Sequence, residues 1–100
     1  MVSTAQDDLG PPASYLTLEE GAAVVSSDGE RIGRVEEVYA DTRADVFDGI
    51  VIGRGPLGLD RRYVEADQID RIHERGVVLS ITAAAAAGLP EPRREAPGAS

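Results

Sequence analysis

The apolar residues of this chain occur in short runs, and each run ends at a glycine, an aspartate or a polar loop. The runs are rich in valine and isoleucine, and they lie at residues 22–25, 32–40, 46–52, 62–66, 68–73 and 77–81. Short β-branched runs with this punctuation favour an antiparallel barrel or sandwich over any helical architecture. The pattern therefore predicts an all-β domain of about six strands.

A tight hairpin is predicted where Asp28-Gly29 separates the first two runs. A type I′ turn needs a positive φ at both central residues, which glycine adopts freely and aspartate tolerates. In the second run, Glu36-Glu37 interrupts the alternation that follows Val35. A bulge there would return Val38 to the inner face and would bend the strand, as a small barrel requires.

The two ends of the chain differ in composition from the middle. Residues 1–13 are polar and contain Gly10-Pro11-Pro12, and residues 90–100 contain three prolines. Such segments lack the apolar content and regularity of a packed element. We therefore expect one domain at residues 14–89, between disordered tails at residues 1–13 and 90–100.

Two short helical pieces are expected inside these boundaries. The segment Thr17-Leu18-Glu19-Glu20 fits a capping box, and Gly21 would end the helix after one turn. Thr82 can cap a helix at residues 83–87, with Gly88 in the left-handed region and Pro90 as the stop. A helix this short is not stable alone in water, so it must dock on the barrel.

The formal net charge is −8, and the acidic excess lies in the first half of the chain. Residues 1–50 hold eleven acids and three arginines, whereas residues 51–100 hold seven of each. Phosphate backbones are bound by displacing counterions with basic side chains. An acidic half repels them, so a nucleic-acid partner is disfavoured.

Cysteine and long apolar segments are both absent from the sequence. The lack of cysteine leaves no disulfide framework or thiolate nucleophile, which fits a reducing compartment. No run approaches the roughly 20 apolar residues of a membrane span. Residues 1–14 have neither the basic nor the apolar region of a signal peptide. We therefore expect a cytoplasmic protein with no membrane span.

Three patterns resemble functional motifs but favour a plain structural interpretation. Residues 53–58 spell GxGxxG, yet a strand follows where a dinucleotide site needs a helix. The spacing of Asp41, Asp45 and Asp48 does not match a calcium loop. His73 is the only histidine and has no nucleophile in a catalytic context beside it. We therefore predict no catalytic residue, no metal site and no cofactor.

Two further features bear on partners. Arg61-Arg62-Tyr63, with Arg54 upstream, is the one local basic segment with an aromatic neighbour, and its arginines can pair with nearby acids or contact RNA. The run 50–52 carries large apolar side chains on both faces of its strand. The helix at residues 83–87 or a second subunit must cover the second face, and the latter would make a homodimer.

The sequence also resembles the PRC-barrel family. The residues that carry the resemblance are Gly21, Val24, Ser27-Asp28-Gly29-Glu30, Ile32-Gly33, Val35, Val38, Asp41, residues 47–52, Tyr63-Val64, Ile69, Val77 and Leu79. The chain looks similar to stand-alone PRC-barrel proteins of bacteria. The family also includes the cytoplasmic domain of the photosynthetic reaction-centre H subunit and the C-terminal domain of a ribosome-maturation factor.

The resemblance implies a small PRC-type β-barrel that docks on a protein partner and has no catalytic residues. The leading hypothesis is therefore a non-catalytic interaction module with an unknown partner. Its candidate partner-binding residues are Glu36, Glu37, Asp41, Asp45, Arg61 and Arg62. An RNA- or ribosome-associated accessory factor is the alternative, and a barrel that binds a small ligand or ion is a third hypothesis.

Overall fold

The computed structural model describes residues 9–55 and 57–92, and these residues are mostly β. The strands are β1 (Ala23–Val25), β2 (Arg31–Asp41), β3 (Val46–Arg54), β4 (Asp60–Glu65), β5 (Ile69–His73) and β6 (Gly76–Leu79). A 3₁₀ turn at Tyr15–Thr17 precedes them, another at Ala66–Gln68 joins β4 to β5, and helix α1 (Ala83–Ala86) follows β6. The predicted six-stranded all-β class with a short C-terminal helix is confirmed.

The six strands form one curled sheet in the order β4-β3-β2-β1-β6-β5. β4 and β5 lie at opposite edges, yet only Ala66–Gln68 separates them along the chain. The sheet must therefore curl until its edges approach each other, and the result is a half-barrel. The β4–β5 connection is not a hairpin, and β4 and β5 run in the same direction. β6 is antiparallel to β5 and therefore lies parallel to β1. The sheet is thus mixed rather than wholly antiparallel.

The hairpin between β1 and β2 confirms the predicted position but not the predicted turn type. Only Gly29 has a positive φ in this loop, at 84°. The amide of Gly29 donates to the Ser26 carbonyl at 3.0 Å, and the Ser26 hydroxyl donates to Asp28 while accepting from the Glu30 amide. These side-chain bonds favour a three-residue loop with a left-handed glycine at its end over a type I′ turn.

The predicted bulge at Glu36-Glu37 is confirmed. Val35 pairs with Ile52 and Glu37 pairs with Val51, so Glu36 is the extra residue of β2. As a result, Val35 and Val38 both face the core. A second irregularity follows Tyr39, and both bend the sheet.

The core lies inside the curl of the sheet. Its buried members come from β1, β2, β3, β4 and β6, together with Leu18, Ala86 and Leu89. A smaller cluster on the other side of β1 and β6 contains Leu9, Ala23, Val25 and Val78. β1 and β6 are therefore buried on both faces, because one cluster packs on each side of them.

The two helical predictions have different outcomes. The first turn spans Tyr15–Thr17 with Ser14 as its cap, and Leu18 is already extended, so the capping box at Thr17 is wrong. Ser14 caps the turn instead of Thr17, because its hydroxyl accepts from the Leu16 amide. Thr82 does cap α1, accepting from the Ala85 amide at 3.1 Å, and Ala86 docks in the core.

The end of α1 differs from the expected left-handed Gly88. The Gly88 amide donates to the Ala85 carbonyl at 3.0 Å, and the Leu89 amide donates to the Ala86 carbonyl at 3.2 Å. These short-range bonds satisfy the free carbonyls of the last turn, so no positive φ is needed.

Both edges of the sheet are covered by the terminal segments. Beside β5, the Ala13 amide donates to the Ile72 carbonyl, and the Arg75 amide donates to the buried Leu9. Beside β4, the Tyr63 amide donates to the Pro90 carbonyl at 2.9 Å. Residues 9–13 and Pro90, at the inner ends of the two predicted tails, therefore hydrogen-bond to the domain. Residues 1–8 and 93–100 lie outside the described residues, and the disorder expected there stays a prediction.

Candidate functional site

On the outer face of β2, β3 and β4, side chains from β2 and β4 extend over the central strand β3. Val51 of β3 lies opposite Glu37 and Tyr63 and is fully buried, with 0% of its surface exposed. The Tyr39 and Tyr63 rings meet 6.2 Å apart on this face. The flanking strands therefore cover Val51, whereas α1 packs in the core on the opposite side. The expectation that α1 would cover it is therefore wrong, and the homodimer stays a prediction.

Arg61 joins two glutamates on this face. Its Nε lies 3.1 Å from Glu36 Oε1, and its Nη2 lies 2.5 Å from Glu37 Oε2. The Tyr39 hydroxyl donates to Glu37 Oε1 at 3.0 Å. These four residues form the Arg61 cluster. The bulge at Glu36 places both glutamates within reach of one guanidinium, so the local sequence irregularity builds the cluster.

Two pKa values in the Arg61 cluster depart from their usual ranges. The hydrogen bond to Glu37 raises the pKa of Arg61, because it stabilises the charged guanidinium. Partial burial raises the pKa of Tyr39, and the hydrogen bond to Glu37 adds to this effect. The cluster thus holds a fixed positive charge between two carboxylates, and a neutral phenol donates to one of them.

The β3–β4 connection, residues 55–59, presents two leucines to solvent and is termed the leucine loop. Leu57 is 79% exposed and Leu59 is 80% exposed. A side chain on Gly58, whose φ is 65°, would come within 2.9 Å of the Glu36 carboxylate. The loop therefore lies directly beside the Arg61 cluster. As predicted for the GxGxxG pattern, it is a hairpin loop between strands.

A second ionic cluster lies at the base of the leucine loop. Asp60 Oδ2 lies 2.6 Å from Arg54 Nη1, and Asp60 Oδ1 lies 2.9 Å from Arg62 Nε. Arg62 Nη1 also donates to the Leu89 carbonyl at 2.7 Å. Arg54, Asp60 and Arg62 form the Asp60 cluster. Because neighbouring residues of a strand face opposite sides, Arg62 is separated from Arg61.

The remaining predicted site residues lie at the end of β2 and in the turn that follows it. Asp41 Oδ1 accepts from the amides of Arg43 and Ala44, at 3.1 and 3.2 Å. Asp45, whose φ is 55°, accepts from the Tyr15 hydroxyl at 2.7 Å. The six predicted residues thus occupy three places, of which only Glu36, Glu37 and Arg61 come together.

The other motifs of the sequence have structural surroundings. His73 Nδ1 lies 2.8 Å from the Gly10 carbonyl, at the edge covered by the N-terminal segment. Across residues 9–55 and 57–92, no three His, Asp or Glu side chains are placed to hold a metal ion. In the same residues, no helix has the length and hydropathy that crossing a bilayer requires.

Sequence reasoning missed Leu57, Leu59 and Tyr39 as surface features. The available signal was the presence of two large apolar residues in a glycine-rich loop, where nothing in the pattern provides a covering element. Tyr39 follows the bulge at Glu36, so a simple alternation of inward and outward residues assigns it to the wrong face of β2.

Comparison with known proteins gives the family. A search of curated proteins found no match to the chain. The family model for the PRC-barrel domain matches residues 14–85, which include all six strands and the Arg61 cluster. The curled six-stranded sheet and the extent of this match agree, and the chain belongs to the PRC-barrel domain family.

Proposed function

We propose that this chain is a non-catalytic docking module, and that the leucine loop with the neighbouring Arg61 cluster contacts its protein partner. The exposure of Leu57 and Leu59, about four-fifths for each side chain, is the observation that carries this proposal. Single exposed leucines are common on protein surfaces, but two on one short loop form a projecting apolar tip. Such a tip fits an apolar pocket on another protein.

The surroundings of the loop support this use. Protein interfaces are enriched in aromatic residues and arginine around an apolar centre, and the face beside the loop carries Tyr39, Tyr63 and Arg61. The Gly58 amide donates to the Gly55 carbonyl at 3.1 Å, and this bond braces the loop internally. A braced loop loses little conformational entropy on binding.

The charge of the chain favours a protein over a membrane as the occupant. The net charge is −8, and the Arg61 cluster holds two carboxylates for one guanidinium. Anionic headgroups would be repelled by this surface. We therefore expect a partner with an apolar pocket rimmed by basic side chains.

The RNA alternative receives no support from these contacts. Arg54, Arg61 and Arg62 are all paired with carboxylates at 2.5–3.1 Å. Phosphate binding would have to displace those acids before any counterions are released.

The test compares crosslinking in native cells by the wild type, the double variant Leu57→Ser/Leu59→Ser and the control Leu16→Ser. Leu16 is 61% exposed but lies in the first 3₁₀ turn. We expect one adduct, made by wild type and control at equal yield, to fall at least about tenfold in the double variant, a loss of about 1.4 kcal/mol in binding. An adduct of equal yield with all three proteins would refute the proposal.

Light scattering of the purified protein covers the case of a second copy as the occupant. Under the proposal the chain is monomeric at high micromolar concentration, with and without the leucines. A dimer that dissociates in the double variant would replace the separate partner by self-association.

A further inference from the structure

We propose that the docking partner adds an extended segment to the free edge of β4, beside the leucine loop, so that a further strand joins the sheet. The inference rests on the proposed docking function, because it names the form in which the partner binds. β4 is the last strand at one side of the sheet. It begins at Asp60, directly after the leucine loop, so a partner that receives Leu57 and Leu59 also lies beside this edge.

The register of β3 and β4 shows which backbone groups of β4 point away from the sheet. In an antiparallel pair, the N–H and C=O of one residue point to the same side, and this side alternates along the strand. The Tyr63 amide donates to the Pro90 carbonyl, so it points away from β3. The β3–β4 register runs from Asp60 to Glu65 without a bulge. The N–H and C=O of Arg61, two residues before Tyr63, therefore also point outward.

The C-terminal segment covers the β4 edge at Tyr63, and this cover does not reach Arg61. Within residues 9–55 and 57–92, no hydrogen bond joins the Arg61 amide, the Arg61 carbonyl or the Tyr63 carbonyl to a residue outside β4. Pro90 and Pro92 have no N–H and so cannot donate to either carbonyl. One donor and two acceptors therefore remain on the part of β4 that adjoins the leucine loop.

The exposure of this part distinguishes it from the opposite edge of the sheet. Arg61 is exposed, and Leu59 beside it is 80% exposed. At the β5 edge, by contrast, residues 9–13 run alongside the strand, and Pro12 forms an antiparallel bridge with His73. An uncovered strand edge is a template for another chain, and main-chain pairing of this kind is a recurring mode of peptide recognition.

The surroundings of the edge restrict the segment that fits. Side chains of an added strand alternate between the two faces of the sheet. On the outer face such a side chain meets Arg61, whose guanidinium lies between the carboxylates of Glu36 and Glu37. Because the carboxylates outnumber the guanidinium, a basic side chain is favoured there. Proline is excluded opposite Arg61, because its missing N–H would leave the Arg61 carbonyl unpaired. The occupant is thus an extended segment with a basic side chain and no proline at the paired position.

Amide hydrogen exchange of the isolated chain, followed by NMR, tests whether the edge is free. The Tyr63 amide, which is bound to Pro90, serves as the internal control. We expect the Arg61 amide to exchange at least about tenfold faster than the Tyr63 amide, because the Tyr63 amide has a protein acceptor. Equal protection of the two amides would show that the edge is already covered and would overturn the inference.

Crosslinking in native cells then compares Arg61→Pro with Arg61→Ala. Both variants lose the ion pairs of the Arg61 cluster, but only the proline removes the outward N–H, which takes no part in the β3–β4 ladder. We expect the yield of the leucine-dependent adduct to be at least about fivefold lower with Arg61→Pro than with Arg61→Ala.

A second measurement applies if Arg61→Pro unfolds or if Arg61→Ala already abolishes the adduct. Amide exchange of the purified wild-type adduct should then show the Arg61 amide protected at least about tenfold relative to the free chain, with the Tyr63 amide unchanged.

Equal adduct yields with the two variants, or an Arg61 amide that exchanges equally fast in the free chain and in the adduct, would overturn strand addition and leave the docking function standing. Adducts that do not depend on Leu57 and Leu59 would instead refute the docking function, and the partner strand with it.

Discussion

The two ionic clusters on either side of the β3–β4 hairpin have opposite compositions. In the Arg61 cluster one guanidinium lies between two carboxylates, and in the Asp60 cluster one carboxylate lies between two guanidiniums. Arg61 and Arg62 are neighbours in sequence, yet they belong to different clusters because strand residues alternate between faces. The comparison shows that a charge count along the chain says little about the charge of either face.

Each cluster also lies beside a glycine, and the two glycines differ in how well their surroundings can accept a side chain. Gly33 lies in the cross-strand row of Arg54 and Asp60, and Gly53 lies in the row of Arg61. A side chain on Gly33 would collide with the Gly53 carbonyl, which is backbone. A side chain on Gly53 would meet the end of the Glu36 side chain, which can rotate away, and would lie 3.1 Å from the Gly58 carbonyl, which has to shift only slightly.

The largest effect is expected from Gly33→Ala. Because a backbone carbonyl cannot yield without separating β2 from β3, the free energy of unfolding should fall by about 3 kcal/mol. Gly53→Ala should cost about 1 kcal/mol, since it displaces one exposed ion pair. Urea denaturation of both variants measures the difference. Equal losses of unfolding free energy would show that the two cross-strand rows accommodate a side chain equally well.

A smaller effect is expected from removing one carboxylate of each cluster. Asp60→Asn removes the negative charge that two partly buried guanidiniums share, and it leaves an acceptor oxygen for only one of them, so the free energy of unfolding should fall by about 2 kcal/mol. Glu37→Gln leaves Glu36 to pair with Arg61 and should cost less than about 1 kcal/mol. Thermal unfolding at low and high salt is the measurement. A larger loss for Glu37→Gln would reverse the ranking of the clusters.

The smallest effect is the alkaline titration of Tyr39. Its pKa is raised in the folded chain, chiefly by partial burial and then by Glu37, so the folded state retains the proton more strongly than the unfolded state. This stabilisation is complete below the unfolded pKa of about 10 and is lost as pH rises through the folded value. NMR titration of the Tyr39 ring should give a lower pKa in Glu37→Gln than in wild type. An unchanged pKa would exclude the hydrogen bond as a cause.

Local sequence rules predicted much of this fold because the relevant interactions are local. The Asp28-Gly29 hairpin, the bulge at Glu36 and the Thr82 cap each follow from residues only a few positions apart. The turn type was wrong because the side chains of Ser26 and Asp28 bond to each other, and propensity scales ignore such bonds.

The remaining features depend on contacts distant in sequence. The parallel β1–β6 pair joins residues about fifty positions apart, and nothing near either strand encodes it. The candidate site is similar, because Glu36 and Arg61 meet only through the register of three strands. The sequence identified both residues as partner-binding candidates, but the registers were needed to separate Arg61 from Arg62.

The covering of both sheet edges has a consequence for the extent of the domain. The family match ends at residues 14 and 85, whereas the stretches that cap β5 and β4 lie beyond those limits. A fragment cut at the family boundaries would lack the chain that occupies the Ile72 carbonyl and the Tyr63 amide. Unpaired strand edges of this kind pair readily with the strands of other molecules. The unit that covers its own strand edges is therefore longer than the unit that defines the family.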